Sequence, residues 1–309
     1  MMTAVKRKTQ FVKRKEFTAS AHASTLVNVM NATGRRLRAH GIDSATSEAE
    51  LILSHVRDEP RHQLYLNSQR ALSEKQSRKV EQMVERRCTR EPLQYILGTT
   101  EFYGLEIECT KAALIPRSET ELLVEAVIKL AKNFSAPRIL ELGTGTGCIA
   151  LALAAHLPDA KILATDFSEA ALLLAQRNAK RLGLSHRVSF LRRDMLDSNS
   201  FSGIEPQHLI VSNPPYVLQS ERPDLQPEIR DWEPEAALYV EDDGLKFYRA
   251  IAGLANRRLT SGGFVAVEMA SQRAEQIAQV FTTEGLAVQE IVKDYTGHQR
   301  HLSAMKITD

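Results

Sequence analysis

Asn213-Pro214-Pro215-Tyr216 stands just after the apolar run Leu209-Ile210-Val211, with Ser212 between. The two prolines fix φ and remove two backbone donors, which leaves a stiff row of acceptors. The Asn213 side-chain carbonyl and the Pro214 backbone carbonyl can each accept one N–H of a planar –NH₂ group, and Tyr216 offers that group an aromatic face. An amide nitrogen is a poor nucleophile because its lone pair is delocalised into the carbonyl. Two acceptors on its hydrogens aim the nitrogen and stabilise the positive charge that grows on it. No strong general base stands in the motif. The plain alternative is a stiff turn without chemistry.

About seventy residues upstream, Ile139-Leu140-Glu141-Leu142 reads as a buried strand, and Gly143-Thr144-Gly145-Thr146-Gly147 follows as a turn that opens a helix. Glycine there lets the backbone approach a ligand closely. A second strand ends at Asp166, 19 residues after Gly147, where a carboxylate can accept from both hydroxyls of a ribose. The dinucleotide fingerprint needs a glycine where Cys148 stands, which favours S-adenosylmethionine over a nicotinamide cofactor. A third strand, Val188-Ser189-Phe190-Leu191, leads to Asp194-Met195. Asp194 can accept from an adenine amino group and Met195 can pack on its ring; a loop cap is the other reading of Asp194. Turn and acceptor row together point to transfer of an activated methyl group to an amino or amide nitrogen. That chemistry needs no metal, and the nine histidines show no ligand spacing.

These residues must be held by a sheet. From Arg138 onward, strands are expected at 138–142, 161–165, 188–192, 208–212, 263–268, 286–292 and 301–306, and helices at 147–156, 168–182, 244–259 and 271–284. Alternating strand and helix imply an α/β fold with a mostly parallel seven-stranded sheet. The loop Asp294–Arg300 is too short for a parallel crossover, so the last strand should run antiparallel. Upstream, Leu26, Met30, Thr33 and Leu37, and again Ala45, Ala49, Ile52 and Val56, follow helical spacing. Ser47-x-x-Glu50, Ser73-x-x-Gln76 and Ser118-x-x-Glu121 have capping-box spacing, and Gly41 should stop the first helix. Tyr95–Gly98 and Phe102–Ile107 read as the strands of a β-hairpin. The organisation expected is a basic flexible tail over 1–23, a helical domain over 24–91, a hairpin linker over 92–116 and a catalytic domain over 117–309.

A net charge of +2 over 309 residues does not suggest a chain held on duplex nucleic acid by many phosphate contacts. Cys88, Cys109 and Cys148 are scattered and fit a reducing cytosol. No apolar run approaches the ~20 residues of a membrane span, and residues 1–24 carry no signal-peptide core. A cytoplasmic protein without a membrane is expected. Lys6, Arg7, Lys8, Lys13, Arg14 and Lys15 make the start basic, either as a plain tail or as an arm for RNA or organelle targeting.

Glu141–Gly147 with Asn213–Tyr216 resembles the amino-methyltransferases of the Rossmann-like adenosylmethionine-dependent class. More closely, the chain resembles the HemK/PrmC family, the protein-(glutamine-N5) methyltransferases of peptide chain release factors. The resemblance covers roughly residues 25–307 and includes Glu91–Gly98, Glu101–Gly104, Ile115–Glu121 and Asp294–Gly297. It implies that the substrate is the glutamine of the Gly-Gly-Gln loop of class-1 release factors, which a small N-terminal helical domain helps to dock. It also implies that Gly143–Gly147, Asp166, Met195 and Asn213 line the cofactor and that Asn213–Tyr216 hold the glutamine. Phe102 is a candidate to pack on the glutamine side chain, with hairpin core as its other reading. Arg117 and Trp232 receive no role: the arginine can meet cofactor, substrate or a nearby acid, and the tryptophan can cover the site or anchor a loop. Three alternatives remain open: a glutamine methyltransferase of a ribosomal protein, an amino-methyltransferase of adenine or cytosine in nucleic acid, and a scaffold without turnover. A base-flipping enzyme usually carries a large basic recognition region, which this chain lacks.

Overall fold

The structure, a computed structural model, describes residues 25–241 and 243–307; the basic start, residues 1–23, lies outside them. The chain divides into two compact units, one ending at Glu85 and one beginning at Arg86.

The first unit is helical. Helices α1 (Leu26–Ala39), α2 (Ala45–Arg57), α3 (Arg61–Leu66) and most of α4 (Glu74–Cys88) make it up. The buried side chains of α1 are those that the spacing predicts, Leu26, Met30, Thr33 and Leu37. Gly41, at φ +74°, follows the end of α1. At the start of α4 the Ser73 hydroxyl oxygen accepts from the Gln76 N–H at 3.2 Å, and the Gln76 side chain accepts from the Ser73 N–H at 3.0 Å. The Ser47–Glu50 pair caps nothing, because α2 already begins at Ala45. Glu50 instead accepts from Arg61 and Tyr65.

In the second unit, Leu93–Leu97 form a short helix, α5, where the sequence suggests a strand. Pro92 precedes it and Gly98, at φ +87°, closes it; five residues are too few for their spacing to separate helix from strand. The hairpin lies just beyond, β1 (Thr99–Phe102) against β2 (Leu105–Glu108). Tyr103 and Gly104 both have positive φ, 50° and 74°, the requirement of a two-residue type I′ turn.

Helix α6 (Glu119–Ala131) leads into the sheet region. Its capping box does not form. Glu121 turns to the hairpin instead and accepts from the Tyr103 N–H at 2.7 Å, so a tertiary donor displaces the local one. There follow β3 (Arg138–Leu142), α7 (Cys148–His156), β4 (Lys161–Asp166), α8 (Glu169–Arg181), β5 (Val188–Arg192) and β6 (Gln207–Ser212). The segment after the Asn-Pro-Pro-Tyr motif holds short pieces: β7 (Val217–Leu218), α9 (Pro227–Trp232), α10 (Glu235–Leu238) and β8 (Tyr239–Val240), with β7 parallel to β8. The chain ends with α11 (Lys246–Arg258), β9 (Leu259–Glu268), α12 (Ala274–Thr283), β10 (Leu286–Lys293) and β11 (Gln299–Lys306).

The main sheet has the order β10-β11-β9-β6-β3-β4-β5. Strands β9, β6, β3, β4 and β5 are parallel, and β11 runs antiparallel between β9 and β10. Chain order reverses at β3, which has β4 on one side and β6 on the other. Ligands of open α/β sheets bind at such a reversal, beyond the carboxyl ends of the strands. Each face of the sheet has its own apolar core, one built on α6 and α7 and the other on α11 and α12.

Phe102 is 1% exposed and belongs to the first of these cores, with Ile107, Leu123 and Val127. The hairpin is thus pinned to the sheet domain by its own aromatic residue. Phe102→Ala should lower the unfolding free energy by about 3–5 kcal/mol, the cost of deleting a buried phenylalanine ring. Urea denaturation checks this; a loss below about 1 kcal/mol would mean that the ring is not core.

Candidate functional site

A cleft of about 520 Å³ opens beyond the carboxyl ends of the parallel strands. That is within the ~300–1,000 Å³ usual for a small-molecule site. Its wall contains Gly143, Thr144, Gly145 and Thr146 after β3, Asp166 at the end of β4, Asp194 and Met195 after β5, and Asn213 and Pro215 after β6. Gly147, Pro214, Tyr216 and Phe102 do not line it.

The glycine turn is fastened to β4. The N–H groups of Gly143 and Thr144 both donate to the Thr165 carbonyl at 2.9 Å, and the Gly145 N–H donates to Asp166 Oδ2 at 2.9 Å. Gly143 and Gly145 sit at φ +73° and +56°, which side-chain-bearing residues rarely adopt. Gly147, at φ +84°, has a second reason to be glycine. A Cβ there would come within 3.0 Å of Ala175 Cβ, so the missing side chain lets α7 pack on α8.

Asp166 is 9% exposed, and burial raises its carboxyl above the usual range. Its Oδ2 takes the Gly145 N–H and its Oδ1 the Ser168 N–H at 2.9 Å. The carboxylate keeps acceptor capacity for a ligand hydroxyl. Asp194 Oδ1 accepts from the Leu196 N–H at 2.9 Å, a turn that holds the carboxylate at the cleft wall. Exposed Phe167 and Leu196 add apolar surface to the cleft.

Beneath the turn lies Glu141, fully buried. Burial pushes its pKa up to about 8, against a hydrogen bond from the Thr144 hydroxyl at 2.6 Å; the charge of Asp166 pushes the same way as burial. Its second oxygen, Oε1, has no partner at hydrogen-bond geometry, and the Ala150 amide is the weakest of the influences on it. The turn's positive-φ glycines on the cleft wall, beside the Asp166 carboxylate, suit a nucleoside ligand whose hydroxyls meet that acid.

Asn213 begins the loop after β6. Its Nδ2 donates to Thr120 Oγ1 at 3.2 Å, the Thr120 hydroxyl donates to Glu268 Oε2 at 2.6 Å, and the Tyr216 hydroxyl donates to Glu268 Oε1 at 3.2 Å. Glu268 is buried at the end of β9, and burial raises its pKa against these two donors. Tyr216 is held through its backbone as well, since its carbonyl accepts from Arg273 at 2.6 Å.

The segment after the motif is tied down at two acids. Glu228 pairs with Arg87 at 2.8 Å and Arg90 at 2.6 Å. Glu233 pairs with Arg117 and accepts from the Ile115 N–H at 3.1 Å. Arg117 therefore meets an acid of its own chain. Trp232 packs against Tyr95, Cys109 and Ile115, with the Lys111 ammonium 4.3 Å from its ring centre; it anchors the loop.

Sequence reasoning passes over Thr120, Glu268, Glu233 and Arg273. The signal for Glu268 is present all the same. Like Asp166, it is an acid that ends an apolar strand, Val265-Ala266-Val267. Thr120 lies in the Ile115–Glu121 stretch that carries the resemblance, but its partners are set only by the fold, which places α6 beside β9.

The family described as PrmC N-terminal domain matches residues 28–98, and the methyltransferase small domain family matches residues 118–229. A release factor glutamine methyltransferase of Geobacter sulfurreducens is 39% identical over 276 residues, covering 89% of this chain and 95% of that protein. The chain belongs to the release factor glutamine methyltransferase family. A second member, from Fusobacterium nucleatum, is 35% identical over 91% of this chain and 78% of its own length. A bifunctional methyltransferase of Rickettsia bellii is 34% identical over 88% of this chain, which spans only 53% of that longer protein.

Glu141 gives the family's cleft a pH signature. Its folded pKa, about 8, lies above its value in the unfolded chain, so between the two the folded state holds more protons. Stability from this residue is full below the unfolded pKa and is lost as pH rises toward 8. Urea unfolding without ligand should show wild type losing stability relative to Glu141→Gln from pH 5 to 8, with the difference levelling off above. A difference independent of pH would mean that Glu141 is already ionised in the folded protein.

Proposed function

We propose that this protein methylates the side-chain amide nitrogen of the glutamine in the Gly-Gly-Gln motif of class-1 peptide chain release factors, with S-adenosylmethionine as methyl donor. The observation that carries the reading is the adjacency of the two loops. Leu142 pairs with Ser212 in parallel register, so the glycine turn and Asn213 leave neighbouring strands side by side. Membership of the family supports the substrate.

Gly143–Thr146, Asp166, Asp194, Met195 and Asn213 would hold the cofactor, with Asp166 accepting from the ribose hydroxyls. Bound there, S-adenosylmethionine would supply a methyl group already activated on a positive sulfur, so that transfer makes one N–C bond, breaks one S–C bond and releases one amide proton to water. Asn213 Oδ1 and the Pro214 carbonyl accept the two hydrogens of the glutamine amide and turn its nitrogen toward the donor. Both acceptors are preorganised, so they stabilise the charge that develops on nitrogen without having to reorient. Pro214 and Pro215 keep the row rigid, and Tyr216, packed on the core with its hydroxyl on Glu268, holds the end of the row in place. Phe102 acts on this site only by supporting the hairpin. The helical unit contributes to docking the release factor.

Among the described residues no helix is long and apolar enough to cross a membrane. We place the enzyme in the cytoplasm, where release factors are, acting without a stable nucleic-acid partner.

Asp166→Ala should weaken cofactor binding by about 1.5–3 kcal/mol, the scale of hydrogen bonds to a charged group. Calorimetry with unchanged affinity would remove Asp166 from the site. Asn213→Ala should slow methyl transfer to a release factor by roughly a hundredfold or more, the scale of losing one preorganised group at a reacting centre. Its cofactor affinity should fall much less. Single-turnover transfer of labelled methyl to release factor, to ribosomal protein and to nucleic acid separates the substrate classes. Label on either of the last two alone would overturn the reading.

A further inference from the structure

An asparagine side chain is nearly symmetric in shape but opposite in chemistry at its two ends. If Asn213 is to accept an N–H from a substrate amide, its carbonyl end must face the substrate and its –NH₂ end must face away. A flipped side chain would set donor against donor and lose the stabilisation of charge on the reacting nitrogen. Something must choose between the two orientations.

The choice lies in one hydroxyl. Thr120 is 2% exposed and stands on α6, remote in sequence from the motif. Its single proton goes to Glu268 Oε2 at 2.6 Å. Only lone pairs are left to face Asn213, and a lone pair can take the –NH₂ end alone; Asn213 Nδ2 donates to it at 3.2 Å. The other oxygen of Glu268 is taken by the Tyr216 hydroxyl at 3.2 Å, so the same carboxyl group also ties down the last residue of the motif. The Tyr248 hydroxyl donates to the Glu268 backbone carbonyl at 3.1 Å and fixes the end of β9 that carries the acid.

We propose that Thr120, its proton held by Glu268, is a positioning residue that sets the orientation of the Asn213 amide and thereby aims its carbonyl at the methyl-accepting nitrogen. This rests on the reading of Asn213 as the acceptor for the substrate amide. Thr120 stands at the cleft wall, but its hydroxyl is engaged by Asn213 and Glu268; its effect on the reaction runs through Asn213, and Glu268 acts through Thr120. The arrangement differs from a structural tie between α6 and β9 in one respect. A tie would contribute to stability whatever residue stands at 213, whereas a positioning group has nothing to position once Asn213 is gone.

A double-mutant cycle on the full chain tests this. Single-turnover methyl transfer to a class-1 release factor is measured for wild type, Thr120→Val, Asn213→Ala and the pair, with cofactor affinity and melting temperature recorded for each. Thr120→Val should lower the maximal rate by roughly ten- to a hundredfold, the scale of a misplaced reacting geometry, while KM for the release factor and cofactor affinity stay within about twofold. Thr120→Ser, which keeps the hydroxyl, should restore the rate to within about twofold of wild type. In the Asn213→Ala background, Thr120→Val should change the rate by less than about twofold. If the two effects multiply, or if Thr120→Val transfers at the wild-type rate, the positioning role is wrong. Should Thr120→Val fail to fold, Thr120→Ala enters the same cycle with the same criteria. Wild type that labels no release factor would bring down the functional reading itself, and the proposal with it. An active wild type with multiplying effects would bring down the positioning role alone.

Discussion

Parallel pairing of β3 with β6 is the constraint on which the site depends. Their register sets Leu142 beside Ser212, and the buried Ser212 hydroxyl donates to the Leu142 carbonyl at 2.8 Å, locking the two strand ends together. Each strand then releases its loop at the same edge. One loop is the glycine turn, which needs positive φ, and the other is the acceptor row, which needs fixed φ. Slipping either strand by one residue would turn its apolar side chains to the opposite face of the sheet, so both cores hold the register. The distance between the two loops is therefore set by the interior of the sheet, although the loops themselves stand outside it.

Three acids are buried at that edge: Glu141, Asp166 and Glu268. Burial raises the pKa of each, and none has a basic side chain as hydrogen-bond partner. Their partners are hydroxyls and backbone amides, from Thr144 to Glu141, from Gly145 and Ser168 to Asp166, and from Thr120 and Tyr216 to Glu268. Burying carboxyl groups is unfavourable for folding. What is gained is direction. Each acid fixes the rotation of a neighbour at the cleft: the glycine turn in two cases, and the Asn213–Tyr216 loop in the third. Ion pairs at Glu228 and Glu233 hold the segment between β7 and β8.

Local rules and tertiary contacts compete visibly at the capping boxes. Ser73 and Gln76 form theirs on an exposed helix start where nothing else offers a partner. Ser118 and Glu121 have the same spacing, yet Glu121 leaves its helix to accept the Tyr103 N–H at the hairpin turn. Glu50 similarly serves Arg61 and Tyr65. A carboxylate near a stronger or less solvated donor goes to it, and sequence spacing alone cannot record that donor.

The sequence by itself determined the strands of the sheet, the antiparallel course of the last of them, and the placing of the glycine turn and the Asn-Pro-Pro-Tyr loop after strands. The reason is that strand alternation, short connections and glycine or proline at fixed positions are local properties, legible wherever neighbours along the chain decide conformation. Only the tertiary structure decided that α5 is a helix, that β11 inserts between β9 and β10, and that Phe102 is core. It alone removed Gly147 from the cleft wall by setting Ala175 against it, gave Arg117 to Glu233, and made Trp232 an anchor. It also brought Thr120 and Glu268 behind Asn213, from 93 and 55 residues away along the chain. A hydrogen bond between side chains so far apart depends on how two elements pack, and packing is a property of the assembled core, which no single stretch of residues contains.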